Sequence, residues 1–346
     1  MLKFVLFRLL KIFLMFFALS VLVFFLIQLP PGDFLSMRIE EMALNGNPLT
    51  EAEIVNIAKM YHLNEPMPMQ YIWWIGNIVT RGDFGRSFSY DMPVTQVIGS
   101  RLLYTVVFSL CTLFFTMIFS FVVGIISAVK QYSWFDYLFS FIGFIGVSIP
   151  GFLLAMVAMY TIFKYTGVTL TGLFSPEYAN APWSWLKLKD MLGHIWFPLL
   201  ILGLSGTASM IRSVRAQMLD ELNKGYVVAA RARGLKQSSV IVNYPMRVVI
   251  NPTVSQLGPL LQGIVSGESI VATVLNLQTL GPILLRALLN QDMYLAGSIL
   301  LLTSIFAMTG SLISDLLLML LDPRIRPERK NRRLKRSARD ENIQTV

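Results

Sequence analysis

Cysteine is nearly absent from this chain. One residue, Cys111, among 346 excludes intramolecular disulfides. Histidine is as scarce: His62 and His194 stand far apart, so no cluster of zinc or haem ligands is expected. No catalytic residue is assigned either, because no paired carboxylates, histidine cluster or nucleophile with a neighbouring base can be placed at one depth. The phosphate-cradling pattern Gly-x-x-x-x-Gly-Lys-Ser/Thr is missing, so the chain is not expected to hydrolyse ATP itself. Charge is thin, at 14% Asp, Glu, Lys and Arg against the roughly 25% of soluble proteins. What fills the chain is apolar: 55% hydrophobic residues, 24 Phe, 18 Met and a mean hydropathy of +0.61. That exceeds what one aqueous core can hide and implies surface facing lipid. An all-α integral membrane protein is expected.

A lipid-spanning helix needs about 20 apolar residues, because the bilayer core offers no partners for backbone hydrogen bonds. Six stretches are read as spans: residues 9–29, 103–129, 135–163, 195–211, 254–277 and 294–321, the fourth interrupted by Ser205, Thr207 and Ser209. The first follows Lys3, Arg8 and Lys11 and is too long for a cleaved signal peptide, so residues 1–29 are read as an uncleaved anchor. Of the 29 Lys and Arg, 20 fall in residues 1–11, Lys130, residues 212–250 and residues 322–346. That asymmetry places both termini in the cytoplasm. The basic tail 322–346 is explained by this orientation and by attraction to anionic membrane lipid, without invoking nucleic acid.

Two connections are long. Residues 30–101 are expected to form a small extracytoplasmic cap. The cytoplasmic loop 212–250 contains Tyr226-Val227-Val228-Ala229-Ala230-Arg231-Ala232-Arg233-Gly234-Leu235. Its alanines favour helix, Gly234 suits a helix stop, and a second short helix is expected from Ser238 or Ser239 as N-cap. Small Ala side chains let a partner approach closely, and Arg231 and Arg233 supply donors at the rim. On the residues alone, docking into a groove of a partner and lying on lipid as an interfacial helix fit equally well.

The stretch Tyr226–Leu235 resembles the cytoplasmic loop signature of permease subunits in bacterial binding-protein-dependent ABC importers, in the peptide/nickel branch of oligopeptide and dipeptide permeases. The run His62-Leu63-Asn64-Glu65-Pro66-Met67-Pro68-Met69-Gln70-Tyr71, the run Gly82-Asp83-Phe84-Gly85-Arg86-Ser87 and the run Asp322-Pro323-Arg324-Ile325-Arg326 are similar to that branch in the same order. Two departures stand out. Val228 occupies a place often acidic in the wider family, and residues 272–281 lack the branch's Glu-Thr-x-Phe run and Pro-Gly-Leu-Gly turn.

The resemblance implies a type I ABC importer permease fold of six transmembrane helices, with residues 102–321 as a five-helix core that includes the loop 212–250. It implies an inner-membrane, non-catalytic subunit paired with a second homologous permease, two ABC ATPase subunits that bind ATP and Mg, and an extracytoplasmic solute-binding protein. Tyr226, Ala229, Ala230, Arg231, Ala232, Arg233, Gly234 and Leu235 would then couple to an ATPase. A peptide is the expected solute, with oligosaccharide or nickel chelate as alternatives. An ATP-independent secondary transporter or channel would instead require an inverted repeat and a midplane ionisable residue. Charges near the membrane are the usual pointers to a pathway. Glu268, Arg286 and Asp292 are candidates for pathway or binding-protein contact, and Asp315 is read as half of a structural ion pair. The small pairs Gly124/Ala128 and Gly263/Gly267 are read as sites of close helix approach.

Overall fold

The computed structural model describes residues 2–28, 39, 42–44, 50–60, 64–179 and 181–321. The tail 322–346, with the Asp322–Arg326 run, lies outside them, as do residues 61–63 at the start of the His62 run.

Helix α1, Leu2–Gln28, carries the first apolar stretch. Helix α2, Glu51–Met60, opens with a capping box: Thr50 N donates to Glu53 Oε2 at 2.8 Å and Glu53 N to Thr50 Oγ1 at 3.4 Å. Helix α3, Met67–Arg81, starts after Pro66 and stops at Gly82, whose φ of 65° is the left-handed conformation a glycine C-cap supplies. A short antiparallel pair follows, β1 (Arg86–Ser87) with β2 (Met92–Pro93), in register Arg86 to Pro93 and Ser87 to Met92.

The strand leads into α4, Val94–Val129, an uninterrupted 36-residue helix. The stretch expected as one third span is two helices, α5 (Trp134–Ser148) and α6 (Gly151–Thr166), inclined at 110°. The physical reason is Pro150, which lacks an amide hydrogen and forces Ile149 into an extended conformation at φ −102°, ψ 127°. After α7 (Pro176–Ala179) comes α8, Trp185–Leu222, 38 residues long and bent by 56° near Ser205 and Gly206. Paired Ser and Gly at the bend match a common cause of helix kinks. Then follow α9 (Gly225–Ala232), α10 (Gln237–Asn243), α11 (Pro245–Ser255), α12 (Leu257–Val274), α13 (Leu280–Leu289) and α14 (Met293–Leu321).

Among the described residues, α4 and α14 are long and apolar enough to cross a membrane, and counting each bent pair as one span gives four. Phe13–Leu26 is a shorter apolar segment.

The chain divides into two compact units. The first draws its described residues from Met1–Ile12, Phe108–Gly267 and Phe306–Val346. Its hub is α8, which packs on α5, α6, α9 and α11. Buried Ala128, Met210, Val214, Met218, Leu222 and Val249 form one core, and Leu113, Val254, Leu257 and Leu261 another. Gly124 admits α8 closely: a Cβ there would lie 2.7 Å from Val214 Cγ1. Gly263, expected to act likewise, faces open space. The close approach is at Gly258, where a Cβ would meet the Ser311 backbone at 3.0 Å.

The second unit draws on Phe13–Val107 and Glu268–Ile305. Val94, Val97, Ile98, Leu280, Ile283, Leu284, Ala287, Leu295, Ala296 and Ile299 make its main core. A satellite core sets Tyr71 and Trp74 of α3 against Phe24 and Leu301, and the Tyr71 hydroxyl is 2.8 Å from Ser20 Oγ. Part of the long first loop is thereby built onto apolar helices.

Candidate functional site

The loop signature folds into a small helical hairpin. Val227 and Ala230, three residues apart on α9, point inward against Val240 of α10 and Tyr244. Gly234 takes φ +76° and turns the chain, while the Arg233 amide donates to the Ala229 carbonyl at 3.1 Å. Only a residue tolerant of the left-handed region fits that turn. Helix α10 then starts at Gln237 after Lys236, not at Ser238 or Ser239 as expected. Ser239 instead lies inside the helix, its Oγ accepting from Asn243 Nδ2 at 3.1 Å. The break at Tyr244-Pro245 closes the hairpin, with Pro245 at the first turn of α11.

Inward packing of Val227 and Ala230 leaves the opposite face of α9 free. Tyr226, Val228, Ala229, Arg231, Ala232, Arg233, Gly234 and Leu235 are all exposed. Val228 is 54% exposed beside the fully buried Val227. Ala230, expected on the docking face, belongs to the inner face at 3% exposure. Its small size serves the approach of α9 to α10, not the approach of a partner. The Tyr226 hydroxyl donates to Glu221 Oε2, and partial burial with that carboxylate pushes its phenol up to about 12. Tyr226 is therefore neutral at physiological pH and fastens α9 to the end of α8.

Helices α8 and α5 are joined by an ion pair that sequence reading did not single out. Arg215 of α8 reaches Asp136 of α5 with both ends of its fork, Nε to Oδ1 at 2.8 Å and Nη2 to Oδ2 at 2.7 Å. The Asp136 side chain is 4% exposed and that of Arg215 25%. The Tyr132 amide donates to Asp136 Oδ2 at 3.0 Å, and Ser133 Oγ caps the same turn. Two parallel bonds fix orientation as well as contact. The signal available in sequence was an Asp three residues after the N-cap Ser133, at the start of an otherwise apolar run.

In the second unit the expected contact residues separate. Asp292 does not present its carboxylate to a partner. It is fully buried, accepting from Ser87 Oγ at 2.5 Å, Ser89 N at 2.9 Å and Leu295 N at 3.1 Å. It is at once the N-cap of α14 and the anchor of the loop around Ser87. Burial drives its carboxyl above the usual range, an effect these three donors only partly offset. Arg286, on α13, is exposed and lines a cleft of about 470 Å³. Glu268 falls within α12, but its side chain lies outside the described residues. Asp315 is half-buried on α14.

The helical hairpin of α9 and α10 thus follows directly on the bent helix α8. The chain belongs to the family of inner membrane components of binding-protein-dependent transport systems: that family's model matches residues 120–327, and the model for its N-terminal part matches residues 1–110. It is similar to a putative peptide permease protein of Brucella suis biovar 1, with 30% identity over 94% of this chain and 99% of the relative. It is also similar to oligopeptide transport system permease proteins of Bacillus subtilis and Escherichia coli K12. The first is 27% identical over 89% of this chain and 94% of the relative, the second 29% over 94% and 100%. The resemblance read from Tyr226–Leu235 and its companion motifs is borne out. The chain is a mostly helical, multi-pass membrane permease that works with other transport components.

Proposed function

We propose that this chain passes a peptide from an extracytoplasmic binding protein into the cytoplasm as one permease subunit of an ATP-driven importer. Six spans with both termini cytoplasmic would place the α9–α10 hairpin on the cytoplasmic face, beside the basic residues that favour that side. A second homologous permease would complete the pathway, and two separate ATPase subunits would bind ATP and Mg. Peptide as the solute is supported by the peptide and oligopeptide permeases that this chain matches almost end to end.

The observation that carries the coupling role is the two-faced packing of α9. Its inner face is fixed by Val227 and Ala230, so the exposed Val228, Ala229, Arg231 and Ala232 form a rigid surface. When the ATPase dimer closes on ATP, a groove gripping that surface would displace α9. Tyr226 and the Asp136–Arg215 pair would hand the displacement to α8 and α5 as a rigid-body motion. Exposed and apolar, Val228 would make the centre of this contact apolar and leave its charged recognition to Arg231 and Arg233.

The test is Ala229→Trp, which adds bulk to the outer face without touching the inner one. Peptide uptake and peptide-stimulated ATPase activity of the assembled complex should both be lost while the chain still inserts. Normal uptake in the inserted variant would remove the coupling role from α9.

A further inference from the structure

The cleft around Arg286 has a composition that the coupling role does not use. It lies wholly in the second unit, between the first turns of α4, the turn after α12 and helix α13. Arg101 and Arg286 both line it, and its walls contain no Asp or Glu. Among the described residues neither guanidinium has a salt bridge. Two like charges sharing a concave surface without a counter-charge repel each other, and an anion relieves that repulsion.

A second observation points the same way. Thr279 is the N-cap of α13, yet its hydroxyl makes no capping bond, and the Leu280 amide is satisfied by Thr105 Oγ1 at 2.9 Å instead. The Thr279 hydroxyl is buried, with the residue 1% exposed, and finds no hydrogen-bond partner among the described residues although Thr279 forms part of the cleft wall. A buried polar group left unpaired is costly and calls for an explanation. The N-terminus of α13 adds a partial positive charge at the same wall. Asn276, held at φ +52°, and Asn290 add amide groups, while Leu277, Ile283 and Leu289 supply an apolar side.

We infer that this cleft is a binding site for the carboxylate of a small solute, with Arg101 and Arg286 as its cationic clamp. Its volume lies in the range of small-molecule sites, and an apolar wall beside a cationic end suits a peptide's C-terminal residue. The assignment of that solute as a peptide rests on the function proposed above. In this role the divergent segment 272–281 is the part of the permease that reads the solute, holding its free carboxylate after release from the binding protein.

The test uses the full chain purified in detergent, with radiolabelled trialanine and trialanine amide as probes in equilibrium dialysis. The free acid should bind about five- to tenfold more tightly than the amide, the effect of one charge-assisted hydrogen bond at a partly exposed site. Arg286→Gln and Arg101→Gln should each abolish the preference, and Lys164→Gln, outside the cleft, should keep it. Acetate should compete. Equal binding of acid and amide to the native chain, or a preference that survives in the Arg101→Gln/Arg286→Gln double variant, would overturn the inference. So would failure of the native chain to retain either probe together with loss of cross-linking to an acidic binding protein in the Arg286→Gln variant, because the pair would then serve docking. Uptake of labelled trialanine by the assembled complex separates the two readings. Uptake without the acid preference removes the cleft site alone, and an acid preference without uptake removes the peptide-importer reading alone.

Discussion

Removing the Arg215 side chain while leaving Asp136 in place should be one of the most damaging single changes in the first unit. The Arg215→Met variant keeps the bulk of the stem but strips both bonds, at 2.8 and 2.7 Å, from a carboxylate that is 4% exposed. Breaking a buried pair in this way costs about 3–5 kcal/mol, because the remaining charge keeps its desolvation penalty without compensation. Arg215 is 25% exposed, so water screens part of the interaction and the lower end, about 3 kcal/mol, is expected. At roughly 2–4 °C per kcal/mol for a domain of some 150–250 residues, the thermal midpoint in detergent should fall by about 6–12 °C. Asp136→Leu/Arg215→Met should recover most of that loss, because both charges leave together and the exposed Tyr132 amide can turn to water. The double-mutant cycle should therefore show a coupling of about 2–3 kcal/mol. A fall below about 2 °C in the single variant, or losses that simply add in the double, would refute the claim that this pair anchors α8 to α5.

Gly124→Val should destabilise the α4–α8 contact by about 1–3 kcal/mol, since even a Cβ would lie 2.7 Å from Val214 Cγ1, whereas Gly263→Ala should be neutral. Thermal scans of the two variants side by side check the contrast. Gly234→Val should lose coupling through strain at φ +76°, and Gly234→Asn should retain most of it, as read by transport-coupled ATPase activity. Asp292 gives a pH dependence with a definite sign. Its folded-state carboxyl is raised above the ordinary value of 3.8, so the folded chain holds the proton more tightly than the unfolded one. Stability from this group is full below that value and declines as pH rises through the raised one. The thermal midpoint of the native chain relative to Asp292→Asn should accordingly fall from pH 4 upward, and a flat difference would contradict the burial assigned to it.

Much of the coupling hairpin was legible because its signals are local. Alanine-rich helix, Gly234 and Tyr244-Pro245 each act through their own backbone, and α9 ends one residue before Arg233 and two before Gly234. Which face of α9 points inward was not legible. That depends on Val240 and Tyr244 arriving from the next helix, so Ala230 could not be told from Ala229 by composition. The extension of α8 to Leu222 was present as a pattern: buried Ile211, Val214, Met218 and Leu222 recur at helical spacing, while Arg212, Arg215, Gln217 and Asp220 interleave. Hydropathy averaged over a window erases that alternation, and the segment read as loop. The same averaging hid the break at Pro150, although the proline itself was a visible sign. Asp292 was misplaced for a different reason: its partners Ser87 and Ser89 are some 200 positions away, and no spacing rule connects them.

In the proposed mechanism the outward face of α9 meets an ATPase, while the inward face is packed within this chain. Cys111 is the sole native cysteine, so a Cys111→Ala background makes single-site cross-linking direct. In the assembled complex, a thiol-reactive cross-linker should join Val228→Cys to the ATPase subunit, and Val227→Cys, at a position with 0% exposure, should give no product. Cross-linking from both positions, or from neither, would contradict the account.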